Sequence, residues 1–304
     1  MSNRIAADST ARTCRQSRTG KERHVVLRHS MTTRITHWVG TLAFVVLTMS
    51  GLQIFDAAPY LDATDTNPLL PATDVWNLAA QAHEHHLFSI AGGVASSGHP
   101  MGVTQLFAWR FITTGWLGYA SDGEGGMTAR AFPGWITFPG YQDLASGRRW
   151  HFFFAWIFVL AGVAYWISGG ARRDIGLILL RVADMPKLWP MTQYYLRLRS
   201  EPPEYGKYNP LQKLAYTLVL FVLAPLIVVT GLALSPGIDA VAHPLTAIFG
   251  GRQSARLWHF SLMLALLAFF GVHLVLVATT GIANNMRSMI TGWYRLRGTE
   301  SAGP

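Results

Sequence analysis

Cysteine is almost missing from this chain: of 304 residues, only Cys14 is one. That excludes a disulfide framework, a cysteine-ligated iron–sulfur cluster and a thiolate zinc site built within the chain. Charge is scarce as well. Only 13% of residues are Asp, Glu, Lys or Arg, against roughly a quarter in an average soluble domain, and this disfavours an ordinary soluble enzyme. No nucleophile–base arrangement, Gly-rich phosphate loop or carboxylate pair stands out as catalytic. No internal repeat or low-complexity tract is apparent. What the chain does have is apolar: half its residues are hydrophobic, and 11 Trp, 16 Phe and 10 Tyr exclude disorder over most of its length.

A membrane helix needs about 20 mostly apolar residues. Four stretches qualify: Thr36–Phe55, Trp150–Gly169, Leu214–Leu234 and Leu257–Thr280, none with Lys, Arg, Asp or Glu in its interior. They divide the chain into a basic tail (1–34), a first span (35–55), a long loop (56–149), a second span (150–170), a connection (171–213), a third span (214–234), a short loop (235–256), a fourth span (257–281) and a tail (282–304). The fold class expected is an all-α, four-transmembrane-helix bundle. A fifth stretch, Val103–Ala120, contains Arg110 and reads as part of a folded loop, because a mid-membrane Arg is costly. The long loop is rich in aromatics and offers a partner-docking surface; the stretch Ile175–Arg199 reads as an interfacial amphipathic segment.

The positive charge has a side. Nineteen of the 25 Lys and Arg fall in the two tails and the 171–213 connection, and six fall elsewhere (Arg110, Arg130, Arg148, Arg149, Arg252, Arg256). The positive-inside rule then puts both termini in the cytoplasm of a multi-pass inner-membrane protein. Basic residues that flank spans suit anionic lipid headgroups and do not form a nucleic-acid stripe. No A-x-A-like cleavage site follows the first apolar stretch, so it is expected to stay as an uncleaved helix.

Eleven histidines are many for such a chain. His37 opens the first span, His151 the second and His259 the fourth, with His273 fourteen residues further along. Fourteen residues rise about 21 Å and turn about 40° short of four full turns, so His259 and His273 share a helix face near opposite membrane surfaces. The topology puts His37 with His273 at one depth and His151 with His259 at the other. Two stacked pairs of imidazoles are what two six-coordinate haems need, with irons about 20 Å apart. Structural zinc would want four ligands at one point. Arg34, Arg148 and Arg256 each precede a histidine by three residues, on the same face, and are propionate partners in this reading. Trp38, Trp150 and Trp258 adjoin three of the four, and Gly40, Gly51, Gly162 and Gly271 would let a flat ring approach a helix. Interfacial Arg, Trp and His occur at span ends without any cofactor, so the paired depths carry the reading. His83, His85, His86 and His99 read as an exposed polar loop, with a metal as the alternative; His24 and His29 lie in the basic tail, and His243 is the rival to His259. C-x-x-C-H is absent, so non-covalent b-type haem is expected.

These residues resemble the bacterial cytochrome b561 and nickel–iron hydrogenase b-type cytochrome family, four-helix dihaem subunits similar to the formate dehydrogenase gamma subunit. The resemblance covers about Arg28–Thr291 and rests on R-I-T-H-W at Arg34–Trp38, G-R-R-W-H-F at Gly147–Phe152 and H-x13-H at His259–His273. It implies His37 with His273 and His151 with His259 as axial ligand pairs. T-T-G-W-L-G at Thr113–Gly118, F-P-G-W-I-T at Phe132–Thr137 and Y-N-P-L-Q-K-L-A-Y at Tyr208–Tyr216 are most similar to the thiosulfate reductase cytochrome b branch. That branch implies a periplasmic molybdopterin oxidoreductase partner and membrane quinone as exchangeable substrate. Three other roles stay open: a stand-alone quinol-dependent oxidase of a small oxidant, a hydrogenase cytochrome b subunit, and a haem-free receptor or transporter. The absence of membrane-embedded carboxylates opposes a proton-coupled transporter.

Overall fold

A computed structural model describes residues 25–62, 86–94, 98–171, 175–206 and 208–295. Four helices are long and apolar enough to cross a membrane: Met31–Phe55, Leu144–Ala171, Pro210–Leu234 and Arg252–Thr279. We call them spans 1 to 4. Spans 2 and 4, at 28 residues each, are about 42 Å long, longer than the roughly 30 Å hydrocarbon core. Each is thus long enough to project beyond it, and Arg148 and Arg256 lie in the second turns of the two helices.

Local chemistry starts the first three spans. The Ser30 hydroxyl accepts from Thr33 N–H at the head of span 1. Asp143 accepts from Ala145 and Ser146 N–H before span 2. Asn209 and Gln212 form a reciprocal capping box on span 3, with Pro210 in the first turn. Span 3 is not regular throughout. Its turn Val219–Leu223 is π-helical and immediately precedes Ala224–Pro225. Pro225 has no N–H for the Phe221 carbonyl and crowds it, and the widened turn accommodates that crowding.

Spans 1 and 2 pack against each other, and span 4 packs against the Val219–Leu234 part of span 3. Both described ends of the chain lie at one end of the bundle. Strand β1 (Val25–Leu27) pairs antiparallel with the final strand, Trp293–Arg295. A helix after span 4, Ile282–Thr291, is tied to span 1 by Trp38 Nε1–H donating to the Met289 carbonyl at 3.1 Å. Between spans 2 and 3 lie short helical turns. Pro186 falls within a 3-10 turn and Pro190 in the first turn of Leu188–Tyr195.

The connection between spans 1 and 2 corrects the all-α expectation. It carries β2 (Tyr60–Leu61), β3 (Phe88–Val94), β4 (Pro100–Leu106) and β5 (Trp109–Ile112) in one antiparallel sheet, and β6 (Gly118–Ser121) with β7 (Met127–Arg130) in a second. Val103–Ala120, the fifth apolar stretch, is spread over β4, β5 and β6. Glycine interrupts this region too often for a helix. It also lets the two sheets touch: a Cβ on Gly92 would lie 1.7 Å from the Gly118 carbonyl oxygen. Trp109, Phe111, Trp116 and Trp135 stand exposed on this loop.

The loop is fastened to the bundle by an apolar seam and a buried ion pair. Phe55, Leu61, Ile90, Ala131 and Phe132 form the seam, with Leu257 and Phe260 of span 4 against it. The side chains of Arg130 and Asp56 are 0% and 1% exposed and 2.9 Å apart. The Arg130 guanidinium also donates to Gln53, Thr137 and the Gly140 carbonyl, while Asp56 accepts from Phe132 N–H. Burial pushes the Asp56 carboxyl above its ordinary pKa, and the bonds from Phe132 and Arg130 pull it back. Such a pair adds little net stability, yet leaving one partner alone in the interior costs several kcal/mol. Accordingly, R130A or D56A should each lower the unfolding free energy by about 3–5 kcal/mol, read in denaturant melts of the detergent-solubilised protein. The paired apolar replacement D56L/R130M should lose less than either single change, and a larger loss in the double would refute this account.

Candidate functional site

The helices bring the four span histidines together as two pairs. His37 of span 1 faces His273 of span 4 with ring centroids 6.3 Å apart. His151 of span 2 faces His259 of span 4 at 6.2 Å. The first pair lies at the end of the bundle where β1 meets the final strand, which we call the terminus end, and the second at the loop end. Two metal–imidazole bonds of about 2.0 Å each, plus about 1.1 Å from nitrogen to ring centre on each side, span about 6.2 Å. Each gap therefore fits one metal atom between the rings, and the all-nitrogen axial donor set suits haem iron.

Hydrogen bonds fix the protonation of the loop-end pair. His151 Nδ1 lies 3.1 Å from the Leu47 carbonyl oxygen and 3.1 Å from Ser50 Oγ. A carbonyl only accepts, so Nδ1 carries the proton. The Ser50 hydroxyl directs its single proton to the Val46 carbonyl at 2.6 Å and accepts from the imidazole. His259 repeats this on span 3. Its Nδ1 is 2.9 Å from Thr230 Oγ1, the Ile227 carbonyl is its second acceptor, and Thr230 donates to the Leu226 carbonyl at 3.0 Å. With Nδ1 protonated in both rings, Nε2 holds the lone pair a metal requires.

Gly51 and Gly231 follow the two hydroxyl residues and let the rings rest against the helices. A Cβ on Gly51 would stand 3.4 Å from His151 Cε1, and one on Gly231 3.2 Å from His259 Cε1. Added Cβ atoms on Gly40, Gly162 and Gly271 would meet nothing within 4 Å. Ser50, Thr230 and Gly231 were not among the residues expected from the sequence. The signal was there in Ser50-Gly51-Leu52 and Thr230-Gly231-Leu232 on spans 1 and 3, and in Arg148-x-Trp150-His151 and Arg256-x-Trp258-His259 on spans 2 and 4. The chain thus contains a short internal repeat, against the expectation of none. Two matches of three or four residues are too brief to register without the contacts that pair them.

The terminus-end pair is built differently. His37 Nδ1 is buried with no hydrogen-bond partner among the described residues. His37 meets Trp38 edge-on at 5.2 Å, and His273 stacks with Phe269 at 5.9 Å.

The three arginines differ in their engagement. Arg34 donates to the Ile290 carbonyl. Arg148 is exposed, its guanidinium 5.9 Å from the Phe152 ring centre. Arg256 donates to the Ala58 carbonyl at 2.6 Å and to Gln253, and lies over the Tyr60 ring. Two of the three thus also tie span ends to neighbouring segments.

The remaining histidines fall elsewhere. His86 bonds the buried Asp62 carboxylate at 2.8 Å and stacks on Tyr60. His99 is exposed beside β4. His243 opens a short helical turn, His243–Ile248, between spans 3 and 4. Cys14, His24, His83 and His85 lie outside the described residues. Among the described residues, no three His, Cys, Asp or Glu side chains converge on a metal site.

Similarity to known proteins agrees with this architecture. Residues 101–292 match the family profile described as prokaryotic cytochrome b561. A protein of Azospira oryzae, described as putative protein-methionine-sulfoxide reductase subunit YedZ1, is 29% identical over 262 residues, which is 85% of this chain and 93% of that protein. A probable Ni/Fe-hydrogenase B-type cytochrome subunit of Azotobacter chroococcum mcd 1 is 30% identical over 145 residues, 43% of this chain and 60% of that protein. The chain belongs to the prokaryotic cytochrome b561 family: it is a multi-pass membrane protein and a b-type haem cytochrome of electron transfer.

Proposed function

We propose that this chain is a dihaem subunit that carries electrons between the membrane quinone pool and an oxidoreductase docked on its loop face. The observation that supports this most is the pair of facing-imidazole gaps, 6.3 Å and 6.2 Å, at opposite ends of one bundle. His37 with His273 would hold one b-type haem and His151 with His259 the other. A bound haem supplies one-electron chemistry at the iron. The protein's part is to present Nε2 of each ring, to exclude water with the four apolar spans, and to offer guanidinium groups to the propionates from Arg34, Arg148 and Arg256.

The partner would meet the segment between spans 1 and 2, where Trp109, Trp116 and Trp135 are exposed. A molybdopterin enzyme is the partner class favoured by the thiosulfate-reductase-like motifs. A reductase partner is also favoured by the Azospira relative, which aligns over most of its length and is described as a reductase subunit. The hydrogenase-type relative aligns over a smaller share of both chains. In this reading the protein sits in the bacterial cytoplasmic membrane with both termini in the cytoplasm, because 19 of the 25 Lys and Arg fall in the two tails and the 171–213 connection of the sequence.

Purified protein should yield two b haems per chain by pyridine haemochrome. H37A and H273A should each remove or alter one haem, and H151A and H259A the other, read in reduced-minus-oxidised and low-spin EPR spectra. An unaltered spectrum for any of the four would remove that residue from the ligand set. G231V, which forces a branched side chain against His259, should perturb only the loop-end haem. For sidedness, a membrane-impermeant maleimide applied to spheroplasts should label C14S/H99C and leave the wild-type Cys14 unlabelled; the reverse pattern would invert the topology.

A further inference from the structure

We propose that Ser50 and Thr230 are positioning residues that hold down the reduction potential of the loop-end haem alone. The proposal rests on the assignment of His151 and His259 as that haem's axial ligands. Both hydroxyl residues are fully buried, so water does not substitute for either. Each hydroxyl commits its own proton to a carbonyl four residues back in its helix. It is therefore an acceptor toward the imidazole, as derived above, and cannot switch roles without breaking that bond. An acceptor on Nδ1–H draws the proton outward and makes Nε2 a stronger electron donor. A stronger axial donor favours ferric over ferrous iron and lowers the potential.

The arrangement occurs twice and serves one site. Ser50 on span 1 engages His151 at 3.1 Å and Thr230 on span 3 engages His259 at 2.9 Å. At the other site, buried His37 Nδ1 has no such acceptor among the described residues. Ser50 and Thr230 thus act on one of the two sites only. The adjoining glycines keep the imidazoles close to the helix backbone, so the hydrogen bonds have little room to vary in length.

The test is a potentiometric titration of S50A, T230V and the double variant, with haem counted by pyridine haemochrome and S50T and T230S as conservative controls. The Leu47 and Ile227 carbonyls still orient the rings in these variants, so haem is expected to stay bound. One of the two midpoints should rise while the other stays put. At the wild-type midpoint of the affected haem, its reduced-to-oxidised ratio should increase about three- to tenfold, the effect of losing one hydrogen bond. The low-spin EPR signal of the same haem should shift, and S50T and T230S should retain wild-type values. Loss of one haem in S50A or T230V that S50T or T230S restores would also support a positioning role. Two bound haems with both midpoints unmoved, or with both moved equally, would overturn the proposal. A haem content of two in H151A or H259A would instead overturn the ligand assignment beneath it.

Discussion

Two neutral rings facing each other across about 6.2 Å have little reason to keep that distance by themselves. They are too far apart for direct contact between their nitrogens and too apolar in their surroundings for water to bridge them at no cost. The separation is a property of the helices. Span 4 carries one ring of each pair, fourteen residues apart, so a single rigid rod sets the distance between the two sites. Span 1 supplies His37 to one site and Ser50 with Gly51 to the other. Spans 2 and 3 serve the loop end only, one giving a ring and the other the surface on which the facing ring rests.

This division explains why the two ends look unlike each other. At the loop end, spans 1–2 and spans 3–4 present the same device: a hydroxyl followed by glycine on one helix, and Arg-x-Trp-His on the next. At the terminus end the device is absent, and the rings come from the first and last helices. Seen by offset, the span 3 counterpart of His37 is Thr217, which instead accepts the Leu180 N–H. The span 2 counterpart of His273 is Tyr165. A bundle with a two-fold likeness at one end and none at the other can give each site its own surroundings while sharing the same four rods.

Much of this was legible in the residues. Four spans follow from uninterrupted apolar length, and the pairing of the histidines follows from helix rise and chain direction. The hydroxyl acceptors were not legible, because Ser and Thr within a helix usually bond their own backbone. Ser50 and Thr230 do so too, and only the neighbouring ring reveals the second bond. The β-structure of the long loop was hidden for another reason. Its strands are two to seven residues long and glycine recurs among them, so no periodicity accumulates. Arg130 looked like one of several outer-loop charges, yet it lies at the centre of the seam, because its partner Asp56 directly follows the last residue of span 1.

The small sheet joining β1 to the last strand brings Val25–Leu27 and Trp293–Arg295 side by side, the segment before span 1 against the one after Ile282–Thr291. Span 1 follows that junction directly and span 4 reaches it through the helix Ile282–Thr291, and these two spans supply His37 and His273. The chain is in effect closed into a ring, with its seam beneath the site made from those same two helices. A change in either strand would be felt through that seam by a span at the far end of the sequence. Engineering of this cytochrome therefore has to treat these two strands as a single joint.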